Sequence, residues 1–378
     1  MLLDYSRPHM AWFRIALFAS LSAALFTVFW QGAGSVDNEL FNLYAGARIG
    51  PRGLYDPHNF AQVAASLHAK VLEARFYYCR MPYYAVLTKP LGWLPFPAAL
   101  VLWRAIQAAA IAAAAFLWPG SKSKFALAAL VSLPVIWVIS FAQDVGLVLL
   151  FVAASIALRK HGRTFLAGAV FSLCLGKPHL VILIPLVMLA RRDFRYLAGA
   201  ALGASGQILL SFAVGPPDWP YQWLSILSNA QMHPHIEAMP GLRALTHSKP
   251  GTLLAVVIAT SLVAAVWRIS ARQSVERAAA MALAAGVVAN LHSYAVDCIL
   301  LLPAIVIALE SRRVLERAAG IFLATPIPFA AMLFGHPAFL QIGVLIVVHR
   351  TASWSWVWAR TTVPPVPARV HAGGQPDS

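Results

Sequence analysis

Asp37 stands just past the first long apolar run of the chain and is followed by Glu39, Tyr44 and Arg48. A carboxylate at a membrane boundary feels a low local dielectric, which raises its proton affinity toward the range a general base needs. The competing reading is a solvated loop carboxylate, or an N-cap for the segment Asn38 to Ala47. Lys177, in GKPHL between two short apolar runs, is costly to keep there unless it is paired or functional. A helix opening after Pro178 adds positive potential suited to a phosphate, with His179 as a companion. Otherwise Lys177 is a lysine that snorkels to the interface.

His292, Tyr294 and Asp297, in NLHSYAVD, form a polar set at one end of an apolar segment. His292 can donate to a departing phosphate oxygen, and Asp297, about a helical turn away, can orient it. An ordinary polar loop with a capping aspartate has the same pattern. Gln143 and Asp144, in FAQDVG, suit sugar hydroxyls, or a turn and N-cap before the next segment. Between 215 and 250 stand His233, His235, Glu237, Arg243 and His247, with Trp219, Tyr221 and Trp223. An HxH pair without clustered carboxylates is a weak metal signal, and the aromatics suit interfacial anchoring. Cys79, Cys174 and Cys298 lie in separate segments without CxxC spacing, so neither a zinc site nor a disulfide framework is expected.

The elements that position these residues are apolar. Of the 378 residues, 60% are hydrophobic and 11% charged, far from the quarter charged of a water-soluble domain. Segments of spanning character fall near 11–30, 98–117, 125–141, 145–158, 164–176, 179–190, 196–214, 251–267, 278–290, 297–310, 318–334 and 338–350. This predicts an all-α polytopic transmembrane bundle of about 10–12 spans, forming a single domain over 1–360. The first run is too long for a signal-peptide core and is expected to be retained.

In the first long connection, 32–97, Asp56 before Pro57 marks a helix start. Phe60, Val63, Ala64, Leu67 and Val71 recur at helical spacing, which predicts a surface helix over about 57–74. The following run, interrupted by prolines 82, 90, 95 and 97, reads as an elbow or re-entrant segment. Residues 361–378 are expected to be a disordered tail.

The formal charge of +15 does not point to nucleic acid, because the basic residues lie in short clusters between apolar runs. Lys122 and Lys124; Arg159, Lys160 and Arg163; Arg191, Arg192 and Arg195; Arg268, Arg272 and Arg277; and Arg312, Arg313 and Arg317 occupy every second connection. The positive-inside rule makes those connections cytoplasmic, with both termini. The other connections carry Asp37, Glu39, Asp56, Glu73, Asp144, Asp218, Glu237 and Asp297, eight of the 14 acidic residues. Any chemistry is therefore expected at the outer face.

With these residues in view, the chain resembles glycosyltransferase family 87, membrane enzymes of the GT-C architecture that use polyprenyl-phosphate sugars. The resemblance rests on DNELFNLYAGARIGPRGLYDP, RMPYYAVLTKPLGWLPFPAALVLW, FAQDVGLVLL, LAGAVFSLCLGKPHLVILIPLVML and NLHSYAVDCILLLPA, in that order. Where family members carry Tyr-Pro-Pro, this chain has Met81, Pro82 and Tyr83, and their Gly-Gln is here Ala142 and Gln143.

The resemblance implies inverting transfer of a sugar, mannose-like, from a polyprenyl-phosphate donor to a lipid or glycan acceptor at the outer face of a bacterial inner membrane. Asp37 would be the catalytic base, and Lys177 and His292 would bind the donor phosphate. Tyr44, Arg48, Gln143, Asp144, His179, Tyr294 and Asp297 would line the substrate site. Neither a metal nor another cofactor is implied, and the partners are these substrates and membrane lipids. A transporter or flippase is the alternative and predicts ionisable residues at mid-span or an internal duplication; neither is evident. A ligase or polymerase using a diphosphate-linked donor would share the outer site.

Overall fold

The computed structural model describes residues 38–71, 76–229 and 236–361. Asp37, the apolar run at 11–30 and the tail beyond 361 lie outside the described residues, as do His233 and His235. All described regular structure is helical, as the apolar patterning predicts, with no strand among the described residues.

Three helices are each long and apolar enough to cross a bilayer alone: Phe96–Leu117, Phe194–Val214 and Lys249–Arg272. Two bent helix pairs are long and apolar enough only when taken together, Lys122–Val131 with Leu133–Ser140 at 66° and Val314–Ala324 with Ile327–Leu333 at 57°. Shorter apolar helices cover Thr164–Gly176, Pro178–Ala190, Ala295–Leu309 and Ala338–Ser353. The breaks fall at prolines. Pro134 opens the second half of one bent pair, and Pro326 and Pro328 bracket the start of the other, because proline lacks the amide and clashes with the preceding turn.

The Thr164–Phe171 and Phe194–Val214 helices meet through Gly168 and Gly199. A Cβ on Gly168 would strike the Tyr196 carbonyl, and one on Gly199 would strike that of Phe165. Small residues bring helices together in this way where lipid removes the hydrophobic drive.

In the first long connection, helices Glu39–Ile49 and Pro57–Ser66 close over a core of Phe41, Tyr44, Phe60, Tyr78, Phe96 and Trp103. The Pro57–Ser66 helix starts as the sequence implies, with the Asp56 carboxylate accepting from the His58 amide at 3.0 Å. It ends at Ser66 rather than near residue 74, because His68 turns to a positive φ of 51°. Leu67 and Val71 still pack on the same core. The proline-rich run that follows holds two short helical pieces, Pro82–Leu87 and Lys89–Trp93, before Phe96–Leu117 begins.

Polar residues gather at two poles. At one, Arg159 pairs with Asp193 at 2.7 Å, Lys160 with Glu276 at 4.0 Å and Lys124 with Glu310 at 3.2 Å. From there, the Val145–Lys160 helix, 16 residues long, runs about 24 Å to Asp144. Lys177, Asn290 and Asp297 lie at the corresponding ends of neighbouring helices whose other ends carry Arg191, Arg277 and Arg313.

Candidate active site

Asp144 occupies the N-cap position of the Val145–Lys160 helix, yet its side chain makes no capping bond. The preceding turn presents it. Gln143 N donates to Val138 O and Ala142 N to Ile139 O, a helix ending that requires a left-handed residue. Ala142 takes that conformation with φ 53°, and the Trp103 indole N–H donates to its carbonyl at 2.9 Å. A β-branched side chain would strain this turn further. Ala142→Val is expected to lower stability by about 1–3 kcal/mol, while Ala142→Gly is tolerated, as thermal unfolding in detergent would show.

The Asp144 carboxylate is the hub of the site. Arg80 Nη2 donates to its Oδ1 and Oδ2 at 3.2 and 3.0 Å, and Arg80 Nε to Oδ2 at 3.2 Å. Tyr84 Oη donates to Oδ2 at 3.2 Å, and Lys177 Nζ lies 3.1 Å from Oδ1. Lys177 also donates to Gln143 Oε1 at 3.1 Å and faces Asp297 Oδ1 at 3.5 Å.

Arg80, Asp144, Lys177 and Asp297 are each less than a tenth exposed. Burial disfavours charge on Asp144, which sits in a turn between helices, but Arg80 and Lys177 outweigh it and hold its carboxyl well below the usual carboxylate range. Glu39 Oε1 lies 3.7 Å from Arg80.

Lys177 is thus a buried, paired lysine rather than a snorkelling one. Gly176 before it has no Cβ because the Tyr84 ring occupies that space, 2.8 Å from where a Cβ would stand. Asp297 caps the Ala295–Leu301 turn by accepting from the Tyr294 amide at 2.8 Å. Its capping reading therefore holds, with Lys177 as an added partner.

The Asn290 side chain accepts from the His292 amide at 2.9 Å and donates to His179 O at 3.1 Å. That clamp brings the rings of His179 and His292 edge to face, 5.5 Å between centroids, with Tyr294 5.1 Å from His292.

Beside these residues opens a cavity of about 590 Å³. Arg80, His179 and His292 stand in its wall, as do Gly176 and Pro178 on either side of Lys177. Most of the remaining lining is apolar, including Val181, Ile182 and Pro185 of one helical arm and Ala200 and Ala204 of the Phe194–Val214 helix. Trp223, whose indole donates to Cys79 O at 3.1 Å, closes another side. It belongs to the Trp219–Leu227 helix, where Trp219 is buried and Tyr221 exposed, so only Tyr221 suits the interfacial anchoring expected of these aromatics. Cys79, Cys174 and Cys298 are free thiols.

The structure thus brings together Gln143, Asp144, Lys177 and Asp297, and beside them His179, His292 and Tyr294. It does not bring in Tyr44 and Arg48. Tyr44 donates to Leu94 O at 2.9 Å and packs edge-on against Phe96, with Arg48 over its ring. Two residues escaped the sequence reading, Arg80 and Tyr84. Neither carries a distinctive local signal, since Arg80 is one of four arginines in the 32–97 connection and Tyr84 one of its several aromatics.

Comparison with curated proteins and with solved structures gave no match. The model of glycosyltransferase family 87 matches residues 81–293, a stretch that includes Gln143, Asp144, Lys177, His179 and His292 and leaves Tyr294 and Asp297 just beyond its end. That match covers more than half of the chain and carries the glycosyltransferase reading over the transporter one. The chain is a member of glycosyltransferase family 87, built as an all-α membrane bundle.

Proposed function

We propose that the protein transfers a sugar, mannose-like, from a polyprenyl phosphate to an acceptor hydroxyl, inverting the anomeric centre, at the outer face of the membrane. The observation that carries this reading is the cavity of about 590 Å³, whose lining is mostly apolar, with Arg80, His179 and His292 standing together in its wall. An isoprenoid chain suits the apolar part, entering past the Phe194–Val214 helix, most of whose surface faces outward. A phosphate suits the cationic part.

Asp37 takes the acceptor proton, the acceptor oxygen attacks the anomeric carbon, and the bond to the phosphate oxygen breaks with its electron pair going to the leaving phosphate. Its neighbours in the chain favour this role, because Asn38 is buried and Glu39 reaches Arg80. The charge released on the phosphate falls beside Arg80 and His292, with Lys177 behind them through Asp144. Cations preorganised in a water-poor site act strongly on such charge. Gln143 and Asp144 hold the cations, and His179 and Tyr294 set the His292 ring.

The decisive assay incubates membranes containing the protein with radiolabelled polyprenyl-phosphate mannose, glucose and arabinose; label moving from none of them to an acceptor would refute the donor assignment. Lys177→Ala is expected to raise the donor KM by roughly ten-fold or more and leave the acceptor KM nearly unchanged. Equal changes in both would argue against a role at the phosphate.

The side of the membrane follows from the basic clusters, all at the pole away from the cavity. A reporter fused after Ser378 is expected to be cytoplasmic, and an outside location would overturn this topology.

A further inference from the structure

The pole opposite the cavity holds a second hollow, of about 520 Å³, walled by Arg277, Arg312 and Arg313 together with Glu310, Glu316 and Thr351. Both carboxylates have partners within the protein. Lys124 Nζ lies 3.2 Å from Glu310, and the buried Glu316 accepts from Ser311 Oγ at 2.7 Å and Thr351 Oγ1 at 2.9 Å. Arg313 braces the neighbouring helix by donating to Arg350 O at 2.8 Å. Arg312 is exposed at the rim. Three guanidiniums together with Lys124 outweigh two carboxylates, so the hollow is positive and suits an anion.

A narrower hollow of about 260 Å³ lies between two of the helices that build the first, Val314–Ala324 and Ala338–Thr361. Leu315, Ala318 and Phe322 line it from one helix, and Phe339, Ile342 and Ile346 from the other. Spacings of three and four residues place each set on one helical face. Leu315 adjoins Glu316 in the chain, and Ile346 lies about a turn and a half from Thr351. A cationic hollow and an apolar groove thus follow one another along the same helix pair.

We propose that these two hollows form a binding site for a phospholipid with a net negative head group, separate from the sugar-transfer site. The head-group phosphate lies between Arg277 and Arg312, and one acyl chain lies in the groove. Guanidiniums match phosphate oxygens in pairs, and basic pockets between helices at the membrane surface suit such head groups. The groove alone cannot select a lipid, because the surrounding bilayer is as apolar as its walls. Discrimination by head-group charge therefore comes from the arginines, while the groove separates a lipid from a free anion.

The test uses the full-length protein, delipidated in detergent and titrated with phosphatidylglycerol, phosphatidylcholine and inorganic phosphate, with adducts read by native mass spectrometry. Phosphatidylglycerol is expected to be retained over phosphatidylcholine, and Arg312→Ala to weaken it by roughly ten-fold. Ala318→Phe, which fills the groove from an exposed position, is expected to weaken it as well without any change at the arginines. Equal retention of the two lipids by the unmodified protein would overturn the proposal, as would phosphatidylglycerol binding indifferent to both substitutions. Inorganic phosphate that displaces the lipid and binds Ala318→Phe undiminished would make the hollow a free-anion site and overturn it too.

Discussion

Asp37→Asn is expected to abolish sugar transfer to within a residual rate, a fall of about a hundred- to ten-thousand-fold in kcat, while donor affinity stays unchanged. Asparagine keeps the size of the side chain and can still hydrogen-bond an acceptor hydroxyl, but it cannot take the proton. The loss therefore appears in the chemical step alone. Single-turnover transfer from a polyprenyl-phosphate sugar, with donor binding measured separately, separates the two quantities.

Full activity in this variant would refute the base assignment and turn attention to Glu39, whose carboxylate stands 3.7 Å from Arg80. Glu39→Gln is the matching control and is expected to retain most activity. Its carboxylate is placed to hold Arg80, 3.7 Å away, rather than to meet an acceptor hydroxyl.

Asp144→Ala is the substitution with the largest expected effect on the fold of the site. It removes the shared partner of Arg80, Lys177 and Tyr84 and leaves two buried cations short of a counter-charge. Breaking a buried pair from one side costs about 3–5 kcal/mol, enough to deplete the folded protein in membranes. Asp144→Asn keeps the acceptor oxygen and the shape, so it is expected to fold but to bind donor weakly, since Arg80 and Lys177 lose the group that orients them. Fluorescence-detected size exclusion measures the first effect and donor titration the second. Normal yield of Asp144→Ala with unaltered donor binding would remove Asp144 from the centre of the site.

The same pairing sets a pH expectation. The Asp144 carboxyl is held below its ordinary range, so its stabilising contribution is complete above the unfolded value of about 4. It is lost only as pH falls below that value toward the folded one.

How far the chain could be read ahead of its coordinates varies residue by residue. The helical class, the helix start at Asp56 and the alternation of basic connections were open to reading, because each depends on neighbours in sequence: apolar runs, capping side chains and charge clusters. Lys177, His292 and Asp297 were picked out because a charged or polar group between apolar runs is costly and so informative. The partner of each was not readable, since the Lys177 ammonium meets Asp144 and Asp297 from two other helices.

Arg80 shows the limit most clearly. Nothing within a few residues of it marks a site, and its bidentate partner lies 64 positions away. Tyr44 and Arg48 show the opposite case, a suggestive polar pair that packing directs to Leu94 and Phe96 instead.

The order of residues along the chain determined the membrane-helical class of this protein and the spacing of its basic clusters, because hydrophobic runs and charge act locally. Only the tertiary arrangement decided that Arg80, Asp144, Lys177 and Asp297 share one buried charge network beside an apolar cavity. The reason is physical: close helix approaches, such as that through Gly168 and Gly199, and left-handed turns, such as that at Ala142, set which distant side chains meet, and neither can be read from a charge pattern.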